Sequence, residues 1–412
     1  MNSGDNSGDP VAEQYDRWVY PQPIDDIAAW AAAGHQQAAD PKLMADEYWP
    51  DRGYRDGLEI LVAGCGANQA AAIAYSNPSA QVVGTDVSAS SLEHGKRLKK
   101  QHGLDNLELH ELPVEQSASL DRGFDLVVAT GVLHHLADPA EGLNALAGVL
   151  KADGVIFLML YARYGRAGAY MLQDFFRRLG VDQSPEDVAL VKATLEALNP
   201  RHPVRVAGEK SPDHEYEAGL VDLYLHRRDV AYTVPDCLDL LQRSGLVFQG
   251  WYQRNHYYPE GQVPTSHPLF PKLQALAEPE LWAAMELFDG TITKHAFFAC
   301  RPERDEFAWR LGIDEDTVFD LVPLLRGGAE LHPPGSAGDG AIQRQGFEPV
   351  TLNKAQLALL GQVDGRRSVG QCAEAGRLTG DENMLRGFAA QLVRSLWRTD
   401  YLSLRLPSAS PN

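Results

Sequence analysis

Cysteine is scarce in this chain: there are four in 412 residues, at Cys65, Cys237, Cys300 and Cys372. No two form a C-x-x-C pair, so neither a disulfide framework nor a structural zinc site is expected to hold the fold. A reducing, cytoplasmic compartment fits that usage. No run of eighteen apolar residues occurs, which argues against a membrane-spanning helix. The first ten residues are small, polar and acidic, without a basic stretch followed by an apolar one. They read as a disordered tail rather than a signal peptide. Basic side chains are the minority, 37 against 56 acidic ones, for a net charge of −19. That field repels a phosphate backbone, so nucleic acid is not the expected partner.

Against these absences stands an ordinary globular balance, 44% apolar and 23% charged. The length suggests more than one domain. A segment rich in aromatics and proline, Tyr15–Pro23, asks for a surface to cover. From Leu58 onward the pattern becomes strand, turn, helix, repeated. Expected strands are 58–63, 81–85, 107–112, 124–130, 155–161, 247–253 and 295–301. Helices are expected over 70–75, from Ser88 or Ser90 to Gln101, over 139–150 and over 233–244. Asp138 is a natural cap for the third of these, and Asp153-Gly154 a stop after it. Short strands that are apolar on both faces and alternate with helices indicate a parallel sheet covered on both sides. Residues 162–232 break the rhythm and read as an insertion, helical over 170–179 and 188–198, with a polar linker over 201–213. Gly327–Gly340 reads as a loop. The expected domains are therefore 1–45, a tail and cover segment; 46–302, the α/β domain with its insertion; and 303–412, a small C-terminal domain.

In such a sheet ligands bind at the carboxyl ends of the strands. The first strand ends at Gly64-Cys65-Gly66, where glycines let backbone approach a ligand closely. Asp86 follows twenty-two residues after Gly64, at the end of the second strand. A carboxylate there can accept hydrogen bonds from two adjacent ribose hydroxyls. A dinucleotide fingerprint needs a third glycine, and Gln69 stands in its place. That favours an adenosine cofactor without a pyrophosphate.

Gly64-Cys65-Gly66 and Asp86 resemble the first two motifs of class I S-adenosylmethionine-dependent methyltransferases. The run from Phe124 to Pro139, FDLVVATGVLHHLADP, is similar to the fourth-strand motif of the type 11/12 branch, and Leu150–Gly154 to its Leu-Lys-Pro-x-Gly turn. The resemblance covers about 45–302. It implies a Rossmann-like, mostly parallel seven-stranded sheet with helices on both faces, the seventh strand antiparallel between the fifth and sixth. It also implies S-adenosyl-L-methionine as cofactor, held by Ala63, Gly64, Cys65, Gly66, Asn68, Gln69, Asp86, Val87, Glu115, Thr130, Gly131 and Val132. Where the family often has an acid two residues before the first glycine, this chain has Val62, and Asp16 or a backbone carbonyl is the candidate substitute.

The sulfonium of that cofactor is already electrophilic, so a methyltransferase must mainly align a nucleophile and exclude water. A base is needed only where the nucleophile must lose a proton early. His134 and His135, after the fourth strand, are the candidate catalytic pair. Tyr20, Tyr161, His226, Arg228 and Tyr232 are candidate substrate contacts; no metal site is expected. The acceptor is expected to be a small molecule or a protein or peptide. The C-terminal domain is expected to be mainly helical, similar to winged-helix-type domains that hold peptide or protein partners. The competing reading is a non-catalytic cofactor-binding or scaffolding module.

Overall fold

A computed structural model describes residues 9–208, 212–333, 335 and 340–407. The chain divides into two compact units. The first runs up to Asp40, then over Asp56–Phe248 and Asp289–Pro302. The second gathers Pro41–Arg55, Gln249–Phe288 and the chain from Glu303 onward.

The main sheet is built on β1 (Glu59–Ala63), β2 (Gln81–Asp86), β3 (Leu107–Glu111), β4 (Phe124–Thr130), β5 (Leu150–Tyr161), β6 (Val247–Trp251) and β7 (Lys294–Cys300), all in the first unit except the last three residues of β6. Their order in the sheet is β3-β2-β1-β4-β5-β7-β6. The inner strands run parallel, and β7 lies antiparallel to β5, pairing Val155 with Cys300 through to Tyr161 with Lys294. Ile60–Ala63 and Phe124–Ala129 are buried without alternation, because helices cover both faces of a parallel sheet. Each large aliphatic side chain removed from water contributes roughly 1.5–3 kcal/mol.

The helix boundaries follow local chemistry. Ser88 accepts the Ser91 N–H at the head of Ala89–His102, and Gly103, in the left-handed region, ends it. Asp138 caps Pro139–Val149 by accepting the Ala140 and Glu141 N–H groups. Three expectations change. β5 begins at Leu150, so Asp153-Gly154 lies within the strand; the pairing with β4 slips between Phe124 and Leu126, and this irregularity absorbs the turn-like residues. Part of the 201–213 linker is a short helix, Pro203–Gly208, whose Val204 is buried. Pro10, placed in the tail, instead starts the helix Pro10–Arg17 under an Asp9 cap; residues 1–8 lie outside the described residues.

The insertion forms its own cluster. Leu172 and Phe176 meet Val188, Val191, Leu220, Val221 and Tyr224, with Trp18 of the N-terminal segment against it.

The second unit holds helices Lys354–Leu360, Val369–Ala375 and Glu382–Arg398. It also holds a three-stranded antiparallel sheet of Ala329–His332, Ala341–Arg344 and Val350–Thr351, and a two-stranded ribbon of Val322–Leu325 with Leu402–Arg405. The stretch read as loop from Gly327 thus contains a strand. Short edge strands with little apolar alternation leave no periodic signal. This unit also holds a buried ionic cluster. Arg254 grips Glu47 through both forks, at 2.6 and 3.0 Å, and Ser403 donates to the same carboxylate at 2.8 Å. Arg326 bonds Asp400 at 2.5 Å.

Candidate active site

The β1–β2 register pairs Ala63 with Thr85, and the Cys65 N–H continues the ladder to the Thr85 carbonyl at 2.9 Å. The glycine elbow and Asp86 therefore finish level with each other. Gly64 and Gly66 both adopt positive φ, +62° and +54°. A Cβ on Gly64 would fall 2.4 Å from Cγ2 of Val132, so only glycine lets the β4 loop close over the elbow. Asp86 turns into the elbow: one carboxylate oxygen accepts the Gly66 N–H at 2.7 Å, the other the Ser88 N–H at 2.9 Å. These bonds hold the carboxylate's orientation and pull its pKa down, but burial outweighs them and the net shift is upward. The buried carboxylate beside a bare backbone cradle fits an adenosyl group, with lone pairs left for ribose hydroxyls.

The N-terminal segment crosses this elbow. The Tyr20 carbonyl and the Pro21 ring would both contact a Cβ on Gly66, at 3.5 and 3.4 Å. Asn68 accepts the Ile24 N–H and donates to the Gln22 carbonyl, each at 2.9 Å. Its amide therefore clamps the segment to the elbow. Asp16 accepts from the Ser88 hydroxyl at 2.9 Å and faces the Ser90 N–H. It fixes the segment to the Ala89–His102 helix. Gln69 accepts from the Thr130 hydroxyl at 2.8 Å, tying the elbow to the end of β4. Gly131 follows with φ +74°. Glu115 stands half-buried in the first turn after β3.

Beyond β4 and β5 lies a buried polar cluster. His134 is fully buried against the Tyr161 ring, centroids 4.2 Å apart, and neither ring nitrogen has a partner among the described residues. His135 donates Nδ1–H to the Arg228 carbonyl at 2.7 Å and stacks on His226 at 3.8 Å. Burial drives all three imidazoles toward the neutral form, His135 to about 4. Arg228 bonds the His135 carbonyl at 3.2 Å and reaches Asp9 at 3.4 Å. It braces the backbone after β4. Tyr232 continues the β5 edge through backbone bonds to Tyr161 and Arg163. Tyr20 stacks on Tyr216. Arg166 lies over the Tyr161 ring at 3.5 Å and pairs with Asp229 at 3.5 Å.

Two residues to which the sequence assigned no role, Asp222 and Tyr15, complete the cluster. Asp222, on the helix Glu217–Tyr224, accepts from the Tyr15 hydroxyl at 2.9 Å and the Tyr161 hydroxyl at 3.2 Å. His226, four residues on, contacts the Tyr15 hydroxyl at 3.1 Å. The i, i+4 spacing of Asp222 and His226 was a readable signal. Tyr15, more than two hundred positions away, carried none. His135, Asp222 and His226 bring ligand-type atoms within 4.8 Å of one another. However, His226 Nδ1 accepts the Arg228 N–H at 3.0 Å. That places the ring proton on Nε2, which therefore lacks the lone pair a metal would need. The neighbouring group His134, His135 and Asp229 has the Arg166 guanidinium against its carboxylate, a like charge for any incoming cation.

A family model described as a methyltransferase domain matches residues 61–156. An uncharacterised protein of Synechococcus, syc1184_c, is 28% identical over 312 residues, 74% of this chain and 73% of that one. The tRNA 5-carboxymethoxyuridine methyltransferase of Escherichia coli is 30% identical over 151 residues, 36% of this chain and 56% of that protein. The match thus spans about half the length of that relative. The solved structure of PKMT2 from Rickettsia typhi in complex with AdoHcy shares the fold, with a TM-score of 0.62 at 15% identity over 90% of this chain and 76% of that one. The methyltransferase domain matched over residues 61–156, carried on a sheet of order β3-β2-β1-β4-β5-β7-β6, supports a class I S-adenosylmethionine-dependent methyltransferase.

Proposed function

We propose that the first unit moves a methyl group from S-adenosylmethionine to a slim nucleophilic group, of a small molecule or a single protein or peptide side chain, entering over the ends of β4 and β5. The observation that carries this reading is Asp86 seated in the elbow, 2.7 Å from the Gly66 N–H, beneath the N-terminal segment. In this reading Ala63, Gly64, Cys65 and Gly66 underlie the cofactor, and Asp86 and Val87 face its ribose. Glu115 faces the adenine. Gln69, Thr130, Gly131 and Val132 wall the side toward the methyl group. When bound, the cofactor supplies an electrophilic methyl carbon.

The chain's own task is to align and to dry the site. Tyr20 and Pro21 close the elbow from above. Tyr161, Tyr232 and His226 line the acceptor side. His135, fixed through Nδ1, presents a neutral Nε2 that can accept a hydrogen bond from the incoming group. His134 packs under Tyr161. The burial of His135, Asp222 and His226, all 6% exposed or less, supports a slim acceptor group over a bulky folded one.

Incubation with tritiated cofactor and host lysate tests transfer and sorts the acceptor: label is expected in protein or in small metabolites only when active enzyme is present. S-adenosylhomocysteine should raise the melting temperature and NAD should not. Binding without any label transfer would leave a non-catalytic cofactor-binding module.

A further inference from the structure

Asp222 is 3% exposed, yet no lysine or arginine forms an ion pair with it among the described residues. Its two oxygens are met by neutral donors, Tyr15 and Tyr161. The hydrogen bonds run in one direction. The Arg228 N–H fixes the His226 tautomer, His226 Nε2–H points at the Tyr15 oxygen, and Tyr15 O–H points at Asp222. A carboxylate held only for structure would be matched to a cation, since burying one unpaired is costly. Tyr15 also senses the charges of both Asp222 and Asp86, and its backbone carbonyl faces Ser88 beside the elbow. The cluster therefore adjoins the cofactor crevice.

We propose that Asp222 accepts the proton of the methyl acceptor, so that the acceptor is a protic nucleophile, a hydroxyl or an amine. This rests on the methyltransferase reading above. The acceptor's X–H bond gives its proton to an Asp222 oxygen. The freed electron pair of X forms the new bond to the methyl carbon, and the pair of the breaking C–S bond returns to sulfur. Asp222 then releases its proton to solvent. The groups facing it are Tyr15 and Tyr20 from the N-terminal segment and Tyr161 from β5. Arg166 precedes the Ala167–Leu179 helix, His135 follows β4, and His226, Asp229 and Asp213 come from the insertion. Burial, together with the charges of Asp229 and Asp213, outweighs the Tyr15 bond and Arg166 and raises the carboxyl to about 7. It is thus poised to change charge near neutrality.

The test needs no acceptor. Full-length protein is titrated calorimetrically with S-adenosylmethionine and with S-adenosylhomocysteine near pH 7, in two buffers of different ionisation enthalpy. The first ligand carries a sulfonium charge that the second lacks. A carboxyl near its midpoint should release up to about half a proton more to the charged ligand. Asp222→Asn should bind both ligands and abolish that difference; Asp222→Glu should restore it. Equal proton exchange for the two ligands in the wild type, or a difference that survives in Asp222→Asn, overturns the proposal. If neither ligand binds, the cofactor assignment falls instead. The tritiated product gives a second readout. A methylated hydroxyl or amine keeps the acceptor's charge, whereas an acceptor without a proton gains one positive charge, and that gain would overturn the proposal.

Discussion

Glu47 in the second unit and Asp222 in the first are carboxylates buried to a similar depth, 8% and 3% exposed, and their surroundings drive them apart. Glu47 meets the Arg254 fork, the Ser403 hydroxyl and, at 3.9 Å, Arg326. Burial alone would raise its pKa, but these cations and hydrogen bonds bring it down to about 2. Asp222 meets tyrosine hydroxyls, and burial wins, lifting it to about 7. Depth therefore does not say what a buried acid is for. The charge of its partners does: a guanidinium fork fixes an acid as structure, and neutral hydroxyls leave it able to take a proton.

The comparison can be broken most forcefully at Asp222. Asp222→Asn should slow methyl transfer by about 10²–10⁴-fold while leaving S-adenosylhomocysteine affinity near wild type. Single-turnover rates beside calorimetry check it, and an unchanged rate would place Asp222 with Glu47 as structure. Arg254→Ala leaves Glu47 buried without its fork and should cost about 3–5 kcal/mol of stability, read by urea unfolding. A loss below about 1 kcal/mol would mean that water reaches the cluster.

Acid and alkali should separate the two carboxylates as well. Glu47 has a lowered pKa, so the stability it contributes is complete above about 4.5 and is lost as pH falls toward 2, roughly 3 kcal/mol in all. Asp222 has a raised pKa, so its favourable contribution is complete below about 3.8 and is lost as pH rises through 7, roughly 4 kcal/mol. The stability of Asp222→Asn relative to wild type should therefore grow between about pH 4 and pH 8; a flat difference contradicts the assignment. The smallest change is Tyr15→Phe. It removes one hydrogen bond to the charged Asp222 and should move the rate's acidic midpoint upward by about one pH unit. No movement would detach Tyr15 from the relay.

The sheet was legible because its strands are buried on both faces and separated by caps and glycines that act locally. Ser88, Gly103 and Asp138 each mark a boundary within a few residues of the bonds they make. The elbow was legible for the same reason, since Gly64, Gly66 and Asp86 belong to two adjacent strands. The polar cluster beyond β4 and β5 was only partly so. Tyr161, His135 and His226 were singled out, but Tyr15 reaches Asp222 across 207 positions, a pairing set by how the N-terminal segment crosses the elbow. Asn68 sits in the elbow, and its side-chain partners, Gln22 and Ile24, lie on that same segment. Likewise, nothing in the linear pattern marks 41–55 and 249–288 as partners of the chain beyond Glu303. Glu47 joins them by pairing with Arg254 and accepting from Ser403, bonds invisible until the backbone is closed.

The most direct measurement is a calorimetric titration of S-adenosylhomocysteine into the wild type and into Asp86→Ala. Removing a carboxylate that holds two ribose hydroxyls should weaken binding by about 10²–10⁴-fold with the circular dichroism spectrum unchanged. Full affinity in the variant would contradict the claim that the elbow and Asp86 together grip the cofactor.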